Sequence, residues 1–181
     1  MTAREGLLSR AVDWFADHGV GDTSLRTLGA GLGTSHRMLL YHFGSREGLL
    51  TAVVEYVERR ERDLLTRLLA SADDPYEAGM RFWSQVAETS ETFAPLYFEL
   101  AGQAMQGQPH AVSLRDWLAE GWADPLAALF VAAGHPRARA TRLARMSLAM
   151  ARGLLFDLAI TGDRAAADRA MTEFVDLLPR A

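Results

Sequence analysis

Apolar positions recur at helical spacing along nearly the whole chain. Leu8, Ala11, Val12 and Phe15 fall at i, i+3, i+4 and i+7, and the run stops at His18-Gly19. Thr23 is placed to cap a short second helix carrying Leu25, Leu28 and Leu32, which Gly33 closes. Ser35 caps another short helix from His36 to about Phe43, and Gly44 ends it. Ser45 then caps a long helix to about Ala70, with Leu49, Leu50, Val53, Val54, Val57, Leu64, Leu65 and Leu68 on its faces. Asp73-Asp74-Pro75 is the next break, with Pro suited to the opening position of a helix. Five further helices are expected, at about 75–88, 93–106, 110–132, 136–161 and 163–178. Pro125 inside the third of these either kinks it or opens a new helix capped by Asp124. No segment alternates β-branched and aromatic residues between turn signals, so the pattern predicts an all-α chain of about nine helices.

Composition narrows the function classes. The 181 residues are 49% hydrophobic and 23% charged, which is globular. There is no Cys, which excludes disulfides, thiol catalysis and Cys-ligated zinc. No uninterrupted apolar run is long enough to span a bilayer and no signal-peptide core follows Met1, so a cytoplasmic protein is expected. The formal net charge is −4, yet residues 1–47 hold five Arg and five acids and are neutral. Any contact with nucleic acid must therefore come from a small local cluster of cations.

Thr23–Phe43 reads as two short helices joined by a tight turn, Leu32-Gly33-Thr34-Ser35. In a helix-turn-helix the second helix enters the major groove with its N-terminal residues on base edges. Gly33 supplies the residue able to take positive φ in the turn. Leu25, Leu28, Leu32, Leu39 and Phe43 are candidates for the apolar seam, while Ser35, His36 and Arg37 put polar groups at the start of the second helix.

Over residues 8–50 these features resemble the N-terminal domain of the TetR family of transcriptional regulators. The resemblance lies in Ala11–Gly19, in Thr23-Ser24-Leu25-Arg26-Thr27-Leu28, in Gly33-Thr34-Ser35 and in Tyr41-His42-Phe43-Gly44-Ser45-Arg46-Glu47-Gly48-Leu49-Leu50. It implies a three-helix helix-turn-helix DNA-binding domain at 1–47 and a helical ligand-binding and dimerisation domain at 48–181. By this resemblance His36, Arg37 and Met38 would face base edges, Arg37 bidentate to guanine and Met38 against a thymine methyl. Thr23, Ser35, Tyr41, His42 and Arg46 would lie along the phosphates, fixing register rather than reading sequence. The plainer alternatives are Tyr41 packed on its own domain, His42 as a hydrogen-bonding core residue and Arg37 as a solvated charge. Two features depart from the family pattern. Leu40 stands where an aromatic is common, and Gly29 and Gly31 lie where Ala or a charged residue is usual.

Enzyme chemistry finds little footing. His36 and His42 are six apart and fall on different helix faces, and His18, His110 and His135 are isolated. Gly29-Ala30-Gly31-Leu32-Gly33 follows no strand and is no dinucleotide fingerprint. No catalytic residue, metal site or cofactor is expected.

Beyond residue 75 large side chains cluster, and they predict either a plain core or a ligand cavity between helices. The expected lining is Trp83, Val86, Tyr97, Phe98, Trp117, Gly121, Met146 and Met150, with Gln103, Glu99, Arg81 or Arg152 as polar anchors. The last two helices read as a dimer interface, through Leu143, Ser147, Met150, Ala151, Leu154, Leu155 and Leu158, then Ala167, Ala170, Met171, Phe174, Val175 and Leu178. The whole predicts a homodimeric repressor that binds a palindromic operator on double-stranded DNA and is released by a small, largely apolar or aromatic effector. The alternative is a DNA-binding dimer with no small-molecule sensor, governed by a protein partner or by abundance.

Overall fold

Nine helices and no strand are present among the described residues of a computed structural model, which are 2–21, 23–115 and 121–179. The first is α1 (Ala3–His18), opened by a reciprocal pair in which Thr2 Oγ1 accepts from the Glu5 amide and Glu5 accepts from the Thr2 amide. Next come α2 (Leu25–Gly31), α3 (His36–Phe43) and α4 (Arg46–Ser71). The cap of α2 is Ser24 rather than the expected Thr23, since the Ser24 hydroxyl accepts the Thr27 amide at 3.1 Å. Ser35 and Ser45 cap α3 and α4 as the sequence predicts, accepting from the amides of Met38 and Gly48.

The 75–106 region differs from expectation. A single helix, α5 (Pro75–Met105), replaces the two expected there. The polar run Thr89-Ser90-Glu91-Thr92 does not break it, and two of its hydroxyls fold back onto helix carbonyls. Thr89 donates to Val86 O at 3.1 Å and Ser90 to Ala87 O at 2.7 Å. Pro95 sits within the helix and removes one backbone donor.

A short α6 at 112–115 follows. Then come α7 (Ala123–Ala132), α8 (Arg137–Thr161) and α9 (Arg164–Leu177). Pro125 lies in the first turn of α7, so it opens a helix, but Trp122 occupies the cap position and Asp124 instead pairs with Arg137 on α8.

Two bodies of core share α4 and α5. Around the first four helices, Leu8, Phe15, Leu28, Leu39, Leu49 and Val53 are buried together with Leu96 and Leu100 of α5. The second body buries Leu65, Tyr76, Trp122, Phe130 and Leu143, flanked by Trp83, Leu158 and Met171. Beside the first body a buried Thr51 donates its hydroxyl to the His110 carbonyl at 3.0 Å. No helix among the described residues is long and apolar enough to cross a membrane.

Candidate functional site

Local chemistry dictates how α3 is presented. Gly33 has φ +65°, turning the chain sharply between α2 and α3, and the Thr34 amide closes the turn on Gly29 O at 2.9 Å. Leu39 is fully buried and Phe43 half-buried, anchoring the inner side of α3 beside Leu25, Leu28 and Leu32. Ser35, His36, Arg37, Met38, Leu40 and Tyr41 are left exposed, Tyr41 to 79%. His42 is half-buried, edge-on to Tyr41 with ring centres 5.1 Å apart.

The two glycines that depart from the family pattern have a geometric reason. The Trp14 indole lies across α2 so closely that a Cβ at Gly31 would stand 2.4 Å from Nε1. A Cβ at Gly29 would press on the backbone at Thr34 and His36, at 3.1 and 3.2 Å. Small residues here let α1 and the turn close onto α2.

Thr23 and Arg46, both expected along the phosphates, are brought together. Arg46 Nε donates to Thr23 O at 2.9 Å and its Nη2 to Gly21 O at 2.7 Å. The guanidinium thereby straps the α1–α2 loop to the start of α4.

The second feature is a cavity of about 160 Å³ between α4, α5, α7, α8 and α9. Trp83, Val86, Tyr97 and Phe98 line it, as expected. Met146, Met150 and Gly121 do not; the two methionines lie on the solvent side of α8, 58% and 39% exposed. Trp117 falls outside the described residues. Of the expected anchors only Arg152 reaches the cavity. Gln103 bonds Glu99 and His110, and Arg81 pairs with Glu77 in solvent.

Sequence reasoning missed the cavity's two carboxyls, Glu58 and Glu61 of α4. Glu58 is buried, accepts the Trp122 indole N–H and pairs with Arg62 at 3.6 Å. Burial pushes its carboxyl above the usual range, against the pull of the Trp122 bond, Arg152 and Arg62. Glu61 is pushed up to about 8, by burial first and by the Glu58 charge second. Burial likewise raises the Tyr97 phenol, against the effect of its bond to Arg152. A signal was present in the sequence. Val54, Val57 and Leu65 form an apolar stripe at helical spacing, and Glu58 and Glu61 fill the positions where that stripe should continue.

Residues 7–53 match the family model for bacterial regulatory proteins, tetR family. Residues 7–53 are thereby a segment of the TetR family. Its members are transcriptional regulators and not enzymes. The HTH-type transcriptional regulatory protein RaaS of Mycobacterium tuberculosis is 31% identical over 107 residues, 59% of this chain. The alignment covers 47% of that protein, so the chain spans about half the length of this relative. Among solved TetR-like folds, a transcriptional regulator from Saccharomonospora viridis in complex with choline superposes with a TM-score of 0.70 at 18% identity, covering 97% of this chain and 96% of that one. The TetR-family repressor FadR of Thermus thermophilus, in complex with lauroyl-CoA, gives 0.63 at 16%, covering 98% of this chain and 96% of that one. At these identities the likeness is one of fold.

Proposed function

We propose that this chain is a homodimeric TetR-family transcriptional repressor that reads a palindromic operator and is released by a small molecule. The reading is carried by the exposed start of α3, where Ser35, His36, Arg37, Met38 and Tyr41 face outward from a buried Leu39. A short helix held from beneath and polar at its N-terminus suits a major groove. Residues 1–47 serve as the reading head and 48–181 as the sensing and pairing domain. One such helix reads only a few base pairs, so a second copy is required.

Pairing is supported by α8, where Met146, Met150, Gly153, Phe156 and Ile160 form one exposed stripe. Of the α8 residues expected to pair, only Met150 lies on this stripe. Leu143, Leu158, Ala167, Met171 and Leu178 are buried in the chain's own core, and Ser147 lines the cavity. The bundle of paired C-terminal helices thus forms through α8's outer stripe, with α9 beside it. Solved relatives of this fold with choline or lauroyl-CoA bound support a small-molecule site.

The test is fluorescence anisotropy on duplexes from beside the chain's own gene, with Arg37→Ala and Tyr41→Ala as variants. Loss of affinity in both is expected; undiminished binding by both would remove the reading head assigned to α3.

The cavity's size favours a second reading. About 160 Å³ is small beside the roughly 300 Å³ at the lower end for drug-sized ligands. A dimer without a sensor would show no change in duplex affinity with any compound that the cavity can hold, and no co-purified molecule by native mass spectrometry.

A further inference from the structure

We infer that the cavity is built for a small hydrophobic cation, with Glu61 as the counter-ion. The inference rests on the effector cavity proposed above and names the chemical class that fits it.

Four observations carry it. Glu61 lines the cavity on α4, and among the described residues no hydrogen bond or ion pair engages its carboxyl. Every other charged group facing it is occupied. On its own helix Glu58 is held by Trp122 and Arg62, and Arg62 also lies over the Trp122 ring at 5.7 Å. From α8, Arg152 is bonded to the Tyr97 phenol of α5, and no titratable side chain of α7 or α9 lines the space. The walls are aromatic, including Phe82, Phe93 and Phe98, whose ring faces attract a cation. The buried Ser147 hydroxyl also lines the cavity without a partner. Once it gives up its proton, an acid with no partner among aromatic faces stabilises a positive guest. The volume sets the size, since cavities of about 150 Å³ accept a single benzene-sized ring.

Binding would then be coupled to a proton. In the empty cavity burial holds the Glu61 proton near neutrality, and a cation must expel it. Affinity should therefore fall as the pH drops below about 8.

The experiment is calorimetric titration of the full chain with phenyltrimethylammonium, whose charge is permanent, beside its neutral isostere tert-butylbenzene. At pH 8.5 the cation should bind at least about tenfold more tightly than the isostere. Its affinity should drop about tenfold per unit between pH 8 and 6, releasing close to one proton at pH 6.5, as linkage to a single site requires. Glu61→Gln should abolish the preference and the pH slope while tert-butylbenzene still binds. Equal binding of the two compounds, a flat pH profile or a preference that survives Glu61→Gln would each overturn the inference. If the variant fails to fold, the wild-type pH profile and proton release decide alone. Binding of neither compound would overturn the effector cavity as well, whereas failure of duplex binding would leave this result untouched.

Discussion

The indole of Trp14 occupies the space that a side chain at Gly31 would need, with Nε1 2.4 Å from the position of that Cβ. Gly inside a helix ordinarily costs about 0.5–1 kcal/mol relative to Ala. Overpacking of a seated ring costs about 1–3 kcal/mol. The second effect wins here, so Gly31→Ala should lower the unfolding free energy, by about 1 kcal/mol net, against the usual trend. Urea denaturation measures it, and a stabilised variant would mean that the ring moves aside freely.

Arg37 and Arg46 should separate by assay. Arg46 holds two backbone carbonyls, at Thr23 and Gly21, and is half-buried. Arg46→Ala should cost about 1 kcal/mol of stability without DNA, a modest value for charged hydrogen bonds partly open to water. Arg37 is exposed, so Arg37→Ala should leave the melting curve unchanged and weaken operator binding by about 1–3 kcal/mol, the worth of one bidentate base contact. Destabilisation by Arg37→Ala would place it in the fold rather than at the groove.

Salt dependence follows from the neutral head. With five Arg against five acids in residues 1–47, few phosphates are neutralised per protomer. A log-log plot of operator affinity against salt should be shallow. A slope equivalent to ten or more released counterions per dimer would contradict this.

Met146 and Ile160 are 58% and 72% exposed on the outer stripe of α8. The double variant Met146→Glu/Ile160→Glu should shift the chain from dimer to monomer at micromolar concentration, since paired apolar faces do not accept unpartnered charge. Light scattering after gel filtration reads the mass. Retention of the dimer would move the interface elsewhere.

The cavity acids set a pH trend in stability. Glu61 is raised from 4.5 to about 8 and Glu58 is raised as well, so the folded chain holds protons that the unfolded chain has released. Stability should therefore fall as pH rises from about 4.5 through 8, by at most about 1.4 kcal/mol per unit for each group. Glu61→Gln should flatten the trend in urea titrations between pH 5 and 9. A wild-type curve that rises with pH over this window would show that the acid is ionised in the folded chain.

The helix-turn-helix segment was largely legible because its signals are local. Ser35, Gly33 and Ser45 act on the backbone within a few residues of themselves, and each stands where the structure uses it. The helices after α4 were less so. Periodicity marks α8 as apolar on more than one side but does not say which side turns inward, and so Met146 was assigned to the cavity, Leu143 and Leu158 to the interface, and Met150 to both. A polar run such as Thr89–Thr92 looks like a break until its hydroxyls are seen to bond the preceding turn. Glu58 and Glu61 were passed over because charged residues on a helix are ordinarily solvated.

Because α4 runs unbroken from Arg46 to Ser71, Leu50 in the first core and Glu61 at the cavity are points on one rigid rod, about 16 Å apart at 1.5 Å per residue. A rod without a joint cannot absorb a rotation along its length. Tilting it by about 5° about Glu61 would sweep Leu50 sideways by about 1.4 Å at that spacing, a lever arm that converts a small adjustment around a guest into a change of aim at the far end.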